Sequence, residues 1–155
     1  MSELTIGESA PDFELDGDGG AKITLSALRG SPVVIYFYPK DDTPGCTKEA
    51  IAFSALDQEF AKLGARIIGI SPDTVAKHDK FKAKHNLTVS LAADPEKTAC
   101  EAYGVWVEKS MYGKKYMGVE RSTFLVDAEG KLAQIWRKVK VAGHAEAVLD
   151  AVKAL

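Results

Sequence analysis

Cysteine is scarce: only Cys46 and Cys100 occur in a chain of 155 residues. Two thiols cannot build the disulfide framework of a small secreted domain. Neither C-x-x-C nor a Cys/His cluster of zinc spacing accompanies them, so no metal and no bound cofactor are expected. No apolar run reaches the roughly 18 residues that would cross a membrane. The opening MSELTIGESAPDF has no basic start leading into an apolar stretch, so no export signal is expected. An excess of charge of one sign is missing too: 20 Lys plus Arg face 22 Asp plus Glu, a formal net charge of −2. No basic tract is long enough to follow a phosphate backbone. These absences set aside nucleic acid and membranes as partners. They point to a cytoplasmic protein, where a cysteine is reactive or buried rather than bridged.

What is present is an ordinary globular composition, 46% apolar and 27% charged. At this length it implies a single domain over residues 1–155. No repeat or linker divides the chain. Gly17, Gly19 and Gly20, with Asp16 and Asp18, read as a turn between alternating segments around Phe13-Leu15 and Ile23-Leu25, an N-terminal hairpin of two edge strands. Val33 to Tyr38 (VVIYFY), bounded by Pro32 and Pro39, is apolar on both faces and too short for a helix, as a buried central strand requires. Phe53, Leu56, Phe60 and Leu63 then recur at helical spacing up to Gly64. Arg66 to Ile70 predicts a second buried strand, and Ser71-Pro72 and Asp94-Pro95 each resemble helix starts. Ser122–Val126 and Leu132–Trp136 flank a turn at Asp127–Gly130, and a last amphipathic helix follows from His144. This order predicts a three-layer α/β domain, a mixed sheet with helices on both faces. Cys46, just past the VVIYFY strand, falls at the carboxyl edge of the sheet.

The link between that strand and its helix reads Pro39-Lys40-Asp41-Asp42-Thr43-Pro44-Gly45-Cys46. Thr43 suits a helix N-cap and Pro44 the first helical position, which sets Cys46 among unpaired backbone N–H groups at the positive end of the helix dipole. A thiol with the ordinary pKa of about 8.5 is only about 3% ionised at pH 7, and helix N-termini and cationic neighbours are the environments that raise that fraction. Gly45 lets a substrate approach the backbone closely. An inert, packed cysteine is the alternative reading of the same position.

P-x-x-x-T-x-x-C, here Pro39, Thr43 and Cys46, at the end of a buried strand resembles the active-site motif of the peroxiredoxins. YFYPKDDTPGCTKEA is similar to the bacterioferritin comigratory protein, or peroxiredoxin Q, branch. The resemblance extends from APDFEL through DPEKTACEAYGVW and ERSTFLVD to RKVKVAGHAEAVL. It implies a thioredoxin-like fold and a thiol-dependent peroxidase for hydrogen peroxide and organic hydroperoxides, serving antioxidant defence. In that family pattern Cys46 attacks the hydroperoxide and becomes a sulfenic acid. Thr43 hydrogen-bonds substrate and thiolate, Pro39 shields the sulfur, and Arg121 holds both thiolate and peroxide, so that substrate contacts fall on Thr43, Gly45 and Arg121. Glu49 can orient that arginine, although an exposed carboxylate in a first helical turn accounts for it equally.

The resemblance also shows where this chain departs from its relatives. The position five after Cys46, a common resolving cysteine, is Ile51, and Lys77 to His85 contains none. Cys100 is the one candidate resolving residue left, and it reads better as packed in a short helix with Tyr103. A one-cysteine cycle follows, in which thioredoxin, glutaredoxin or glutathione reduces Cys46 directly, in a chain expected to be monomeric. A two-cysteine cycle through Cys100 and a redox-controlled binding or chaperone protein are the alternatives. A disulfide reductase lacks its second sulfur, and a cysteine hydrolase would need a histidine such as His144 to reach the thiol. His78, His85 and His144 read as surface or helix-face residues. Trp106, Met111, Tyr112, Met117 and Trp136 read as core and edge packing, and Lys114-Lys115 and Arg137–Lys140 as solvated faces.

Overall fold

The computed structural model describes residues 4–155. Strands β1 (Glu14–Gly17) and β2 (Lys22–Thr24) form the N-terminal hairpin, with Leu15 opposite Ile23. β1 is nevertheless not an edge. Its far side pairs with β5 (Ser90–Ala93), because the Asp18 carboxylate accepts the Leu91 N–H at 2.9 Å and ties the turn over that strand. Of the two hairpin strands, β2 alone lies at a sheet margin.

β3 (Val33–Phe37) lies in the interior of a seven-stranded mixed sheet, order β2-β1-β5-β4-β3-β8-β9, with β4 at Arg66–Ser71, β8 at Ser122–Val126 and β9 at Leu132–Trp136. It pairs in parallel with β4 (Ile35 opposite Ile68) and antiparallel with β8 (Ile35 opposite Phe124). The period-two alternation of β3 therefore feeds two cores. Val34, Tyr36 and Tyr38 face Phe53 and Phe60 of α1 (Pro44–Lys62), Phe81 of α2 (Val75–His85) and Val148 of α4 (His144–Lys153). Val33, Ile35 and Phe37 face Phe13, Leu25, Phe124, and Cys100 and Tyr103 at α3 (Thr98–Ala102). The expected three layers are present, with the longer helices together on one face. Burying a Phe or Ile side chain contributes about 1.5–3 kcal/mol, so twelve large side chains at under 2% exposure make this sheet a rigid platform.

Local signals misplaced two helix starts. α2 begins at Val75, where the Thr74 hydroxyl accepts the Lys77 N–H at 3.3 Å; Ser71 instead ends β4 and donates its hydroxyl to Asp73. α3 begins at Thr98 after Lys97 in the left-handed region (φ 62°), with Asp94 accepting the Cys100 N–H from outside the helix. Two strand regions carried no readable pattern. β5 is a weak SLAA run that only its pairing with β4 makes extended. β6 (Trp106–Met111) and β7 (Lys114–Val119) form a separate hairpin, closed by Tyr112 and Gly113, both at positive φ. That hairpin overturns the packing expected of Met111, Tyr112 and Met117, which stand exposed; Trp106 and Trp136 are half-buried. Among the described residues, no helix is long and apolar enough to cross a membrane.

Candidate active site

β3 ends under the loop that leads into α1, so its carboxyl end delivers Pro39–Thr43 and then Cys46 to the sheet edge. Thr43 takes the N-cap position in extended conformation (φ −95°, ψ 155°), its carbonyl accepts the Thr47 N–H at 2.8 Å, and Pro44 opens the helix. Its hydroxyl does not cap. It donates to the Lys40 carbonyl at 2.8 Å and makes no capping bond to the first-turn N–H groups. Cys46 sits at that turn, 2% exposed.

Arg121 reaches the same sulfur from the other end of the chain. Ser122 opens β8 opposite Phe37, the last residue of β3, so the residue before it is carried to the carboxyl edge of the sheet. From there Arg121 Nη2 donates to Cys46 Sγ at 3.2 Å and Nη1 to Glu49 Oε1 at 2.6 Å. Gly45 makes the first contact possible: a Cβ at this position would lie 3.2 Å from Nη2. The glycine expected to admit a substrate is thus already used to admit the guanidinium.

Glu49, one helical turn beyond Cys46, is buried rather than an exposed first-turn carboxylate, and its Oε2 has no hydrogen-bond partner among the described residues. Burial pushes its carboxyl up to about 7 in spite of the guanidinium beside it. Burial works against the Arg121 charge as well, yet Glu49 and the Cys46 sulfur together hold the guanidinium above its ordinary range. The fork therefore stays cationic at every working pH, while the carboxyl that steadies it titrates near neutrality.

Two of the histidines read as surface or helix-face residues, His78 on α2 and His144 at the start of α4, are buried. His78 meets Asp41 at 2.6 Å and the Ala92 carbonyl at 3.0 Å. His144 shares a 2.8 Å hydrogen bond with Thr123, and burial, aided by Arg121, holds its imidazole down to about 4, so it is neutral at pH 7. Both escaped sequence reading because each anchors to a residue distant in the chain. His85 is half-buried and contacts Asp42 at 2.9 Å. Among the described residues Arg121 is the only side chain hydrogen-bonded to Cys46, so the sulfur lacks the histidine base of a cysteine hydrolase. Cys100 lies in the core on the opposite side of the sheet, its thiol pushed up by burial and by Asp94. Pro39 borders the loop half-buried. Among the described residues no group of His, Cys, Asp and Glu is placed to hold a metal. The arrangement is a buried cysteine sulfur beside a guanidinium that bonds it and Glu49 together, at a helix start whose Thr43 hydroxyl is held to the Lys40 carbonyl.

Residues 6–135 match the model of the AhpC/TSA family. The chain belongs to that family, in its Bcp/peroxiredoxin Q branch. It is 53% identical to Peroxiredoxin Bcp of Bacillus subtilis over 150 residues, covering 97% of this chain and 96% of the relative. Against Peroxiredoxin Bcp of Xanthomonas campestris it is 54% identical over 143 residues, 92% of this chain and 89% of that one. Solved structures agree: a Xanthomonas campestris peroxiredoxin Q superposes with a TM-score of 0.91 at 51% identity, covering 96% and 97% of the two chains. A Xylella fastidiosa PrxQ mutant superposes with a TM-score of 0.94 at 39% identity, covering 99% and 98%. One ligand-bound structure concerns the alkyl peroxide reduction activity of the Xanthomonas campestris bacterioferritin comigratory protein. The thioredoxin-like fold and the thiol peroxidase activity of this peroxiredoxin follow from membership of the branch, as its motif implied.

Proposed function

We propose that this peroxiredoxin reduces hydrogen peroxide and alkyl hydroperoxides through Cys46 as one domain over residues 1–155, in the cytoplasm and as a monomer, with an external thiol closing the cycle. The observation that carries the assignment is the guanidinium fork of Arg121, one nitrogen on Cys46 Sγ and the other on buried Glu49. In the first step the sulfur anion attacks the terminal oxygen of R–O–O–H. The S–O bond forms as the O–O bond breaks, the sulfur is oxidised to S–OH, and the departing RO⁻ takes a proton from solvent as R–OH. Negative charge thus moves from sulfur to the leaving oxygen, and a fixed cation beside that path stabilises the transition state more than the ground state. The Thr43 oxygen, whose proton is committed to the Lys40 carbonyl, accepts the O–H of the hydroperoxide. Pro39 limits water at the sulfur, and Gly45 keeps the guanidinium close.

In the second step one thiol displaces water from the sulfenic acid and a second releases Cys46 as a thiol, giving a disulfide of the reductant. The one-cysteine cycle is favoured because Cys46 and Cys100 face opposite cores, whereas a disulfide needs Cα atoms about 4.4–6.8 Å apart. Thioredoxin, glutaredoxin and glutathione are the candidate reductants.

Peroxide turnover with each reductant tests this on wild type, Cys46→Ser and Cys100→Ala, with mass spectrometry of the peroxide-treated chains. Cys46→Ser is expected to be inactive. Cys100→Ala should keep wild-type turnover, and a single added oxygen should map to Cys46. Peroxidase activity surviving in Cys46→Ser would overturn the assignment, and an obligatory Cys46–Cys100 disulfide would overturn the one-cysteine cycle.

A further inference from the structure

The loop that delivers Cys46 is pinned by α2 and the turn before it, through Asp41 and Asp42. Asp41, 8% exposed, accepts the Tyr38 hydroxyl on Oδ1 at 2.5 Å and faces His78 Nδ1 with Oδ2 at 2.6 Å. Its backbone N–H donates to Asp73 Oδ2 at 2.7 Å, and Asp73 is itself held by the Ser71 hydroxyl at 2.8 Å. The next residue, Asp42, is in the left-handed region (φ 61°) without being glycine, a conformation that persists only where the surroundings impose it. Lys84 and His85, also from α2, grip its carboxylate at 2.7 and 2.9 Å.

His78 is the element of this set with no use of its own in the chemistry. It is fully buried, and its other ring nitrogen faces the Ala92 carbonyl of β5 at 3.0 Å. A carbonyl only accepts, so Nε2 donates there, and the proton between Nδ1 and Oδ2 is held by the histidine–aspartate pair. A buried polar pair of this kind is costly unless every partner is satisfied, which ties the position of the loop to that of α2.

We infer that His78 is a positioning residue of the peroxidase: through Asp41 it sets the loop 39–43 so that Thr43 and Cys46 meet the hydroperoxide in line. This rests on Cys46 being the peroxide-reactive sulfur. Release of the loop misplaces Thr43 and the start of α1 relative to Arg121, while Cys46, now 2% exposed, becomes more accessible. Reaction with peroxide and reaction with a small neutral electrophile are therefore pushed in opposite directions, which a general loss of structure does not do.

Two substitutions separate the two bonds of His78. His78→Asn places an amide N–H where Nδ1 stands and keeps the bond to Asp41, whereas His78→Gln places it where Nε2 stands and keeps only the bond to Ala92. Stopped-flow rates with hydrogen peroxide and with iodoacetamide are read at the Cys46 peptide of the full-length reduced chains, at one pH. His78→Gln is expected to lose about 10- to 100-fold in the peroxide rate, the scale of a 1 Å misplacement, with alkylation unchanged or faster. His78→Asn should stay within about threefold of wild type for peroxide, since it keeps the positioning bond. Asp41→Ala, which removes the partner of Nδ1 and leaves α2 and β5 untouched, should repeat the His78→Gln split. Equal losses in His78→Asn and His78→Gln, a parallel fall of both rates, or an unchanged peroxide rate in His78→Gln and Asp41→Ala would overturn the inference while leaving Cys46 as the reactive sulfur. A wild-type Cys46 peptide that takes up no oxygen would overturn both.

Discussion

Gly45→Ala should make this protein more stable and less active at once. Gly45 lies in the first turn of α1 with ordinary helical backbone, so the added methyl meets no conformational penalty there, and exchanging glycine for alanine in a helix gains up to about 1 kcal/mol. The new Cβ, however, would stand 3.2 Å from Arg121 Nη2, closer than carbon and nitrogen comfortably pack, while Arg121 Cζ at 3.9 Å is unaffected. The guanidinium must retreat by a few tenths of an ångström, and Nη2 is the atom that donates to Cys46 Sγ at 3.2 Å. For unit charges at an effective dielectric of about 20, lengthening that separation to about 3.6 Å lowers the attraction from about 5.2 to about 4.6 kcal/mol. The same retreat from the departing oxygen, where charge gathers in the transition state, weakens its stabilisation by about 0.6 kcal/mol, a roughly threefold slower peroxide reaction, and about tenfold if the fork also rotates away. The assay is the second-order rate of sulfenic acid formation by stopped flow, paired with a chemical denaturation curve. A wild-type rate in a stabilised variant would show that the distance between guanidinium and sulfur does not limit the reaction. A loss of 1,000-fold or more would show that Gly45 serves the substrate itself.

Glu49 makes stability depend on pH in a defined direction. Burial raises its carboxyl from 4.5 to about 7, so the folded chain binds this proton more tightly than the unfolded chain does. Its contribution, about 3 kcal/mol, is complete below pH 4.5 and is lost as pH rises through about 7. Denaturation midpoints of wild type should therefore fall between about pH 5 and pH 8 relative to Glu49→Gln, and parallel curves for the two chains would refute the burial argument. Arg121→Lys should cost about 100-fold in the peroxide rate, because a single ammonium cannot bond Cys46 and Glu49 together as the planar fork does. A wild-type rate in that variant would reduce Arg121 to a source of charge.

Legibility followed the range of the interactions. β3 was readable because VVIYFY is apolar on both faces, the start of α1 because Thr43 and Pro44 occupy positions with strong local preferences, and the β8–β9 hairpin because its turn residues are contiguous. β5 was not, since SLAA becomes a strand only by lying between β4 and β1. The β6–β7 hairpin was hidden by charged residues on both faces of a ribbon that reaches a core only at its base, through Trp106 and Val119. Glu49 carried the right spacing from Cys46, but nothing local distinguishes a carboxylate that will be buried against an arginine 72 residues away from one left in water.

By itself the order of residues determined the strand, the stiffened loop, the helix start and a lone sulfur at the first turn, because each depends on backbone preferences and hydrophobic periodicity within a few positions. The motif around that sulfur also carried the family and its chemistry. The tertiary structure alone decided that Glu49 is buried and titrates near neutrality, that Cys100 faces away from Cys46, and that His78 braces the loop. Those outcomes are set by sheet register, which brings Ser122 opposite Phe37 and so Arg121 beside a cysteine 75 positions earlier. Burial, charge pairing and desolvation act between neighbours in space, and space is what the pairing of distant strands creates.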